Sequence, residues 1–123
     1  MFEVVYYEDK PGVSSLYNQI VELAEKANTN KNARIQYNQI SYLIKLLKID
    51  GTKMISNYTK RIEGDIWELR PGDNRILYFF YQDNTYVLLH MFRKKTRKTP
   101  PSEIEQAKRE RNDYILKQGG KKR

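Results

Sequence analysis

The hydrophobic period of this chain changes at Gly51, and that change sets its fold class. Ahead of it, Val13, Leu16, Tyr17, Ile20, Leu23, Ala24 and Ala27 recur at steps of three and four, which aligns them on one face of a helix. Asn28-Thr29-Asn30 breaks the pattern; Ala33, Tyr37, Ile40, Ile44 and Leu47 then repeat it up to Asp50-Gly51, a pair suited to a left-handed helix stop. The two segments predict an αα-hairpin. Beyond Gly51 the pattern alternates. Residues 66–70 set Trp67 and Leu69 against Ile66, Glu68 and Arg70, and Pro71-Gly72-Asp73-Asn74 follows as a turn. The apolar runs 75–81 and 85–92, joined by Gln82-Asp83-Asn84, complete an antiparallel meander whose near-continuous apolarity points to cover on both faces.

The ends complete the order. Residues 2–7 (FEVVYY) are rich in β-branched and aromatic types and stop at Asp9-Lys10-Pro11-Gly12, so they read as a first strand. Ser102 followed by Glu105 forms a capping box behind Pro100 and Pro101, predicting a last helix over 102–116, lightly anchored by Ile104, Ala107, Ile115 and Leu116. Residues 118–123 lack apolar side chains and are expected to be a disordered basic tail. The expectation is one α+β domain over residues 1–117: an N-terminal strand and a helical hairpin packed on a small antiparallel sheet, with a C-terminal helix. At 39% hydrophobic, 123 residues can fill one modest core. Helices confined to one sheet face would leave the strand ends and the other face for function.

Charge narrows the function. The net charge is +8, and residues 1–59 carry 7 Lys and Arg against 6 Asp and Glu, whereas residues 60–123 carry 16 against 9. A polyanion is the natural partner of such a local basic field. No apolar run approaches the roughly 18 residues of a membrane span, and MFEVVYYEDK lacks the order of a secretory signal, so a cytoplasmic location is expected. With no cysteine and one histidine, disulfides and zinc sites are not expected, and neither is any metal or cofactor.

Arg93-Lys94-Lys95-Thr96-Arg97-Lys98 places five cations in six residues directly after the most apolar strand. Their mutual repulsion is relieved by a phosphate backbone, although a solubilising loop would show the same composition. Arg70 and Arg75 flank the 71–74 turn and approach across the hairpin, where planar guanidiniums suit bidentate phosphate contacts or pairing with Asp73 or Glu68. His90, inside a strand, reads as a hydrogen-bonded structural histidine rather than a general base. Trp67 and most of the ten tyrosines read as core and sheet surface, with Phe92 left as a candidate stacking contact.

Gly64-Asp65-Ile66-Trp67-Glu68-Leu69-Arg70, then Arg75-Ile76-Leu77-Tyr78-Phe79-Phe80, then Leu89-His90-Met91-Phe92-Arg93-Lys94-Lys95-Thr96-Arg97-Lys98-Thr99-Pro100 resembles the HigB-type branch of the RelE/ParE toxin superfamily. The resemblance implies a RelE-like fold and the toxin of a type II toxin–antitoxin pair. Such a toxin is a metal-independent endoribonuclease that cuts mRNA, in many members on the ribosome, and so inhibits translation. It also implies a cognate HigA-like helix-turn-helix antitoxin, through which alone operator DNA would be met. Members of the ParE branch instead inhibit DNA gyrase, and a plain RNA-binding module is a third reading. By the resemblance Arg75 contacts the scissile phosphate, Arg70 closes the preceding strand, and Lys94 and Lys95 protonate the leaving 5′-oxygen or bind phosphate. Where RelE carries strand lysines, this chain has Ile66 and Glu68, so Glu68 stands either as general base or as a salt-bridge partner. No tyrosine matches the family's late stacking residue between Thr99 and Glu103. Lys60, Arg61, Arg93, Arg97 and Lys98, with Phe92, are the expected RNA contacts.

Overall fold

The computed structural model describes residues 1–54 and 56–121. In chain order the elements are β1 (Glu3–Tyr6), α1 (Ser15–Lys26), α2 (Lys31–Asp50), a 3-10 turn (Gly51–Lys53), β2 (Thr59–Glu63), β3 (Ile66–Leu69), β4 (Asn74–Tyr81), β5 (Thr85–Arg93) and α3 (Pro101–Lys121). Both helices of the predicted hairpin are capped by side chains. Ser14 Oγ accepts from the Tyr17 amide at 3.1 Å and Asn30 Oδ1 from the Ala33 amide at 2.9 Å, each satisfying an orphan N–H of a first turn. α2 stops at Gly51, whose φ of +60° disfavours other residues and where a Cβ would lie 2.7 Å from the Tyr86 hydroxyl.

The strand order is β1-β5-β4-β3-β2. Neighbours are antiparallel except β1 and β5, which run parallel from Glu3 opposite Thr85 to Tyr6 opposite Leu88. The sheet is therefore mixed, not antiparallel as expected: side-chain alternation has the same period in either direction and carries no information about a partner some eighty residues away. β2 is a further strand that the sequence pattern did not predict. Lys60, Arg61 and Glu63 fill three of its five positions, and it pairs because the edge of β3 offers it a hydrogen-bonding row.

The helices cover both faces, not one. Leu69, Ile76, Tyr78, Tyr86 and Leu88 pack with Leu16, Ile20, Ile40, Leu43, Ile44 and Leu47 of α1 and α2, while their strand neighbours Ile66, Leu77, Phe79, Val87 and Leu89 pack with Ala107 and Tyr114 of α3. Two-sided burial explains why β4 and β5 read as continuous apolar runs. Leu77 pairs with His90 but Tyr78 with Leu88, so Leu89 is an extra residue in β5, a bulge.

α3 begins with Pro101 at its first position, and the Pro100 carbonyl accepts from the Glu103 amide at 3.0 Å. Ser102 thus lies inside the first turn and not at the cap. The helix runs to Lys121, so residues 118–121 of the expected tail are helical; 122 and 123 lie outside the described residues. Its anchors are also largely polar. Ile115 and Leu116 are exposed, whereas Tyr7 donates to Asp113, Lys108 pairs with Glu63 and Arg111 with Asp65. Tyr114 supplies an apolar anchor, edge-on to Phe79 and Tyr81. None of the described helices is long and apolar enough to cross a membrane.

Candidate functional site

Glu68 lies in the middle of β3 on the α3 face, the face that Leu77 and Phe79 share, and it is only 2% exposed. A carboxylate at such a place needs every lone pair met, because leaving a buried charge unpaired costs several kcal/mol. Its partners come from three parts of the chain. Arg70, just past the end of β3, donates Nε to Oε2 at 2.9 Å; Arg75 in β4 brings its Nε to 3.9 Å from the same oxygen; Thr99, before α3, donates its hydroxyl to Oε1 at 2.7 Å.

The turn between β3 and β4 sets the two arginines. Gly72 has φ of +60° and approaches α2 so closely that a Cβ there would lie 2.3 Å from Gln39 Oε1. Arg75 NH1 donates to the carbonyls of Gly72 and Asn74, both at 2.8 Å, so one edge of the guanidinium is spent on the turn. Burial pulls the Arg75 pKa down; Glu68 opposes it and the Arg70 charge adds to it. The group stays charged at any working pH.

β5 and the segment after it close the arrangement. Phe92 pairs with Arg75 across the sheet and so stands on the same face. The Lys94 amide donates to the Asp73 carbonyl at 2.8 Å, which folds the basic segment back along the turn. Phe92, Lys94, Lys95, Thr96, Arg97, Lys98 and Thr99 then surround Glu68 and Arg75, enclosing about 10 Å³, room for about one water. Lys94 to Lys98 are exposed. The result is a closed carboxylate–arginine centre under a cationic rim, with its positive charge presented at the surface rather than inside a cavity.

Of the residues singled out from sequence, Arg70, Arg75 and Glu68 meet directly, and Phe92, Lys94, Lys95, Arg97 and Lys98 stand around them. Lys60 is opposite Glu68 in the β2–β3 register and on its face. Arg61 and Arg93 do not join the centre. Arg61, opposite Trp67, is on the other face and donates to the Gly64 carbonyl at 2.8 Å. Arg93 turns to Asp73, 4.0 Å away, and to Gln36 at 3.2 Å. His90 is hydrogen bonded, as expected of a structural histidine: Nδ1 is 2.6 Å from Glu110 and Nε2 2.9 Å from Glu103, both on α3. Burial works against its charge, but the two carboxylates outweigh that and raise its pKa above the ordinary value.

Sequence reasoning missed Thr99. Its signal was local: a hydroxyl directly ahead of Pro100-Pro101, held extended by the proline that follows it, at the end of the basic run.

A family model described as Phage derived protein Gp49-like (DUF891) matches residues 29–112, from the start of α2 into α3. The chain belongs to that family. The Gp49-like family is toxin-like and related to RelE, and the mixed sheet with a helical hairpin and C-terminal helix fits a small RelE-like α+β fold. The match takes in Glu68, Arg70, Arg75, Thr99 and the whole cationic segment of this Gp49-like chain. No curated protein sequence matches it.

Proposed function

We propose that this Gp49-like chain is a HigB-like toxin: a metal-independent endoribonuclease that cuts mRNA on the ribosome, acts in the cytoplasm, inhibits translation and is neutralised by a cognate HigA-like helix-turn-helix antitoxin. The observation that carries this reading is the convergence of Arg70 and Arg75 on buried Glu68 beneath Lys94, Lys95, Arg97 and Lys98. RNA supplies its own nucleophile. The 2′-oxygen attacks the adjacent phosphorus, the P–O5′ bond breaks, and the products are a 2′,3′-cyclic phosphate and a free 5′-hydroxyl. Negative charge grows first on the phosphorane oxygens and then on O5′. Fixed guanidiniums lower the first barrier and a lysine ammonium that gives its proton to O5′ lowers the second, with Arg75 and Arg70 in the former role and Lys94 or Lys95 in the latter. The 2′-hydroxyl proton leaves to water. Glu68 acts as a positioning residue, since both of its oxygens are occupied by Arg70, Arg75 and Thr99. Lys60, Phe92, Arg93, Arg97 and Lys98 contribute backbone and stacking contacts along the strand, while Arg61, on the other sheet face, is left out.

Induced expression with mapping of mRNA 5′ ends and a supercoiling assay tests the proposal. Growth arrest with new 5′-hydroxyl ends inside translated frames is the expected result. Arrest with intact mRNA and lost supercoiling would replace it with gyrase inhibition.

A further inference from the structure

A cavity of about 380 Å³ opens on the opposite sheet face from Glu68, at the same end of the sheet, and the proposed cleavage chemistry does not use it. Its walls are Gln19, Glu22, Leu23 and Lys26 of α1, Gln36 of α2, and Asn74, Met91, Phe92 and Arg93 at the ends of β4 and β5. We infer that this cavity is a nucleobase pocket that reads a nucleotide next to the cut; the inference rests on the ribonuclease reading above.

The pocket is built from two kinds of surface. Leu23 and Met91 provide an apolar floor, on which a flat ring can lie with thioether contact, while the Phe92 ring stands on the Arg75 face. Gln36 and Asn74 provide polar edges that are held in place. Gln36 Nε2 donates to Asn32 at 2.6 Å, and Gln36 Oε1 accepts from Asn74 Nδ2 at 3.0 Å and from Arg93 at 3.2 Å. Asn74 is 2% exposed, and its Oδ1 accepts no hydrogen bond among the described residues. Since no fully buried side-chain oxygen among them lacks a partner, that oxygen keeps a small exposed area, and Asn74 lines this cavity. A fixed acceptor beside an apolar floor selects for the donor edge of a base, the way single-stranded RNA is read. The volume falls in the range of about 300–1,000 Å³ usual for small-molecule sites.

Placement ties the pocket to the proposed site. Asn74 and Arg75 are consecutive in β4, so their side chains leave opposite faces of the sheet. Phe92 lines both spaces, and the half-exposed Arg93 guanidinium stands at the strand end between them. An RNA strand held at its scissile phosphate by Arg75 can turn around this end, meet Arg93 with the next phosphate and set the adjoining base on Leu23 and Met91.

The test combines nuclear magnetic resonance with cut-site mapping. AMP, GMP, CMP and UMP are titrated separately into the full chain labelled with nitrogen-15, with ribose 5-phosphate as control. At least one nucleotide is expected to move the Asn74 and Gln36 side-chain amides and the Leu23 and Met91 backbone amides, and ribose 5-phosphate to leave them in place. Silence of these signals with all four nucleotides, or equal movement with ribose 5-phosphate, overturns the pocket even if the chain cuts RNA. Response of these amides in a chain that cuts no RNA keeps the pocket and removes the ribonuclease reading. In cells, Leu23→Trp fills the cavity, and the base preference beside the cut is expected to flatten by about tenfold, roughly the discrimination one hydrogen bond supplies. An unchanged preference in a folded Leu23→Trp protein counts against the pocket.

Discussion

Thr99 donates its hydroxyl to Glu68 Oε1 at 2.7 Å, bridging 31 residues of sequence. This bond ties the basic segment to the same carboxylate that holds Arg70 and Arg75, so the cationic rim and the arginines are positioned together. Thr99→Val keeps the shape and leaves a buried carboxylate oxygen unmet. It is expected to cost about 1–3 kcal/mol, read as a lower urea midpoint, while Thr99→Ser stays near wild type. Equal midpoints for Val and wild type would show that the bond does not form in solution.

Glu68→Gln turns an acceptor toward Arg70 and Arg75 into an amide with its own donors. As a positioning residue, Glu68 should then lower cleavage by about 10²-fold through misplaced guanidiniums, while the pH–rate profile keeps its shape. Loss of the acidic limb of that profile in Glu68→Gln would make Glu68 the base.

Arg75→Lys retains the charge and loses the planar fork. NH1 gives up its bonds to the Gly72 and Asn74 carbonyls, costing about 1 kcal/mol of stability. Cleavage should fall by about 10²–10³-fold. A thermal melt and a cleavage assay on one preparation separate the two effects, and near wild-type cleavage removes Arg75 from the chemistry.

Gly72→Ala meets two separate obstacles. The φ of +60° costs an L residue about 1–2 kcal/mol, and the new Cβ collides with the exposed amide end of Gln39. Adding Gln39→Ala removes the collision alone. The double variant is therefore expected to recover part of the lost melting temperature and not all of it; full recovery would show that backbone conformation is not the constraint.

His90 predicts a pH dependence of α3 docking. Its folded-state pKa is raised by Glu110 and Glu103 against the opposing effect of burial. The stabilisation is therefore fully present below the unfolded value of about 6.5 and fades as pH rises through the higher folded value. Wild type should lose stability relative to His90→Gln as pH is raised from about 6 to 9, and α3 amides should exchange faster. Parallel stability curves for the two proteins would rule out this linkage.

Much of the fold was legible. Each helix of the hairpin shows an i, i+3, i+4 stripe, and Ser14, Asn30 and Gly51 end them by local hydrogen bonding and φ, all short-range properties. β3, β4 and β5 follow from alternation and from turns whose residues favour them, including Asp83 and Asn84, both at φ of 59°. Arg70 and Arg75 could be placed together because a hairpin fixes its register locally.

Non-local pairing decided the rest. β2 has little strand signal of its own and exists because β3 has an edge to fill; β1 pairs parallel with β5 at the other edge of the sheet, a partner that no local pattern specifies. Glu68 is the sharpest case. Its sequence neighbours show that it shares a face with Arg70, but charge and alternation alone put it on a wet surface. Only the packing of α3 and the fold-back of the segment carrying Lys94 to Thr99 remove it from water, and that burial makes it a fixed point for two arginines. The sequence by itself determined which residues carry charge and in what order; the tertiary structure decided which of them lose their water, because desolvation depends on segments distant in the chain closing over the same spot.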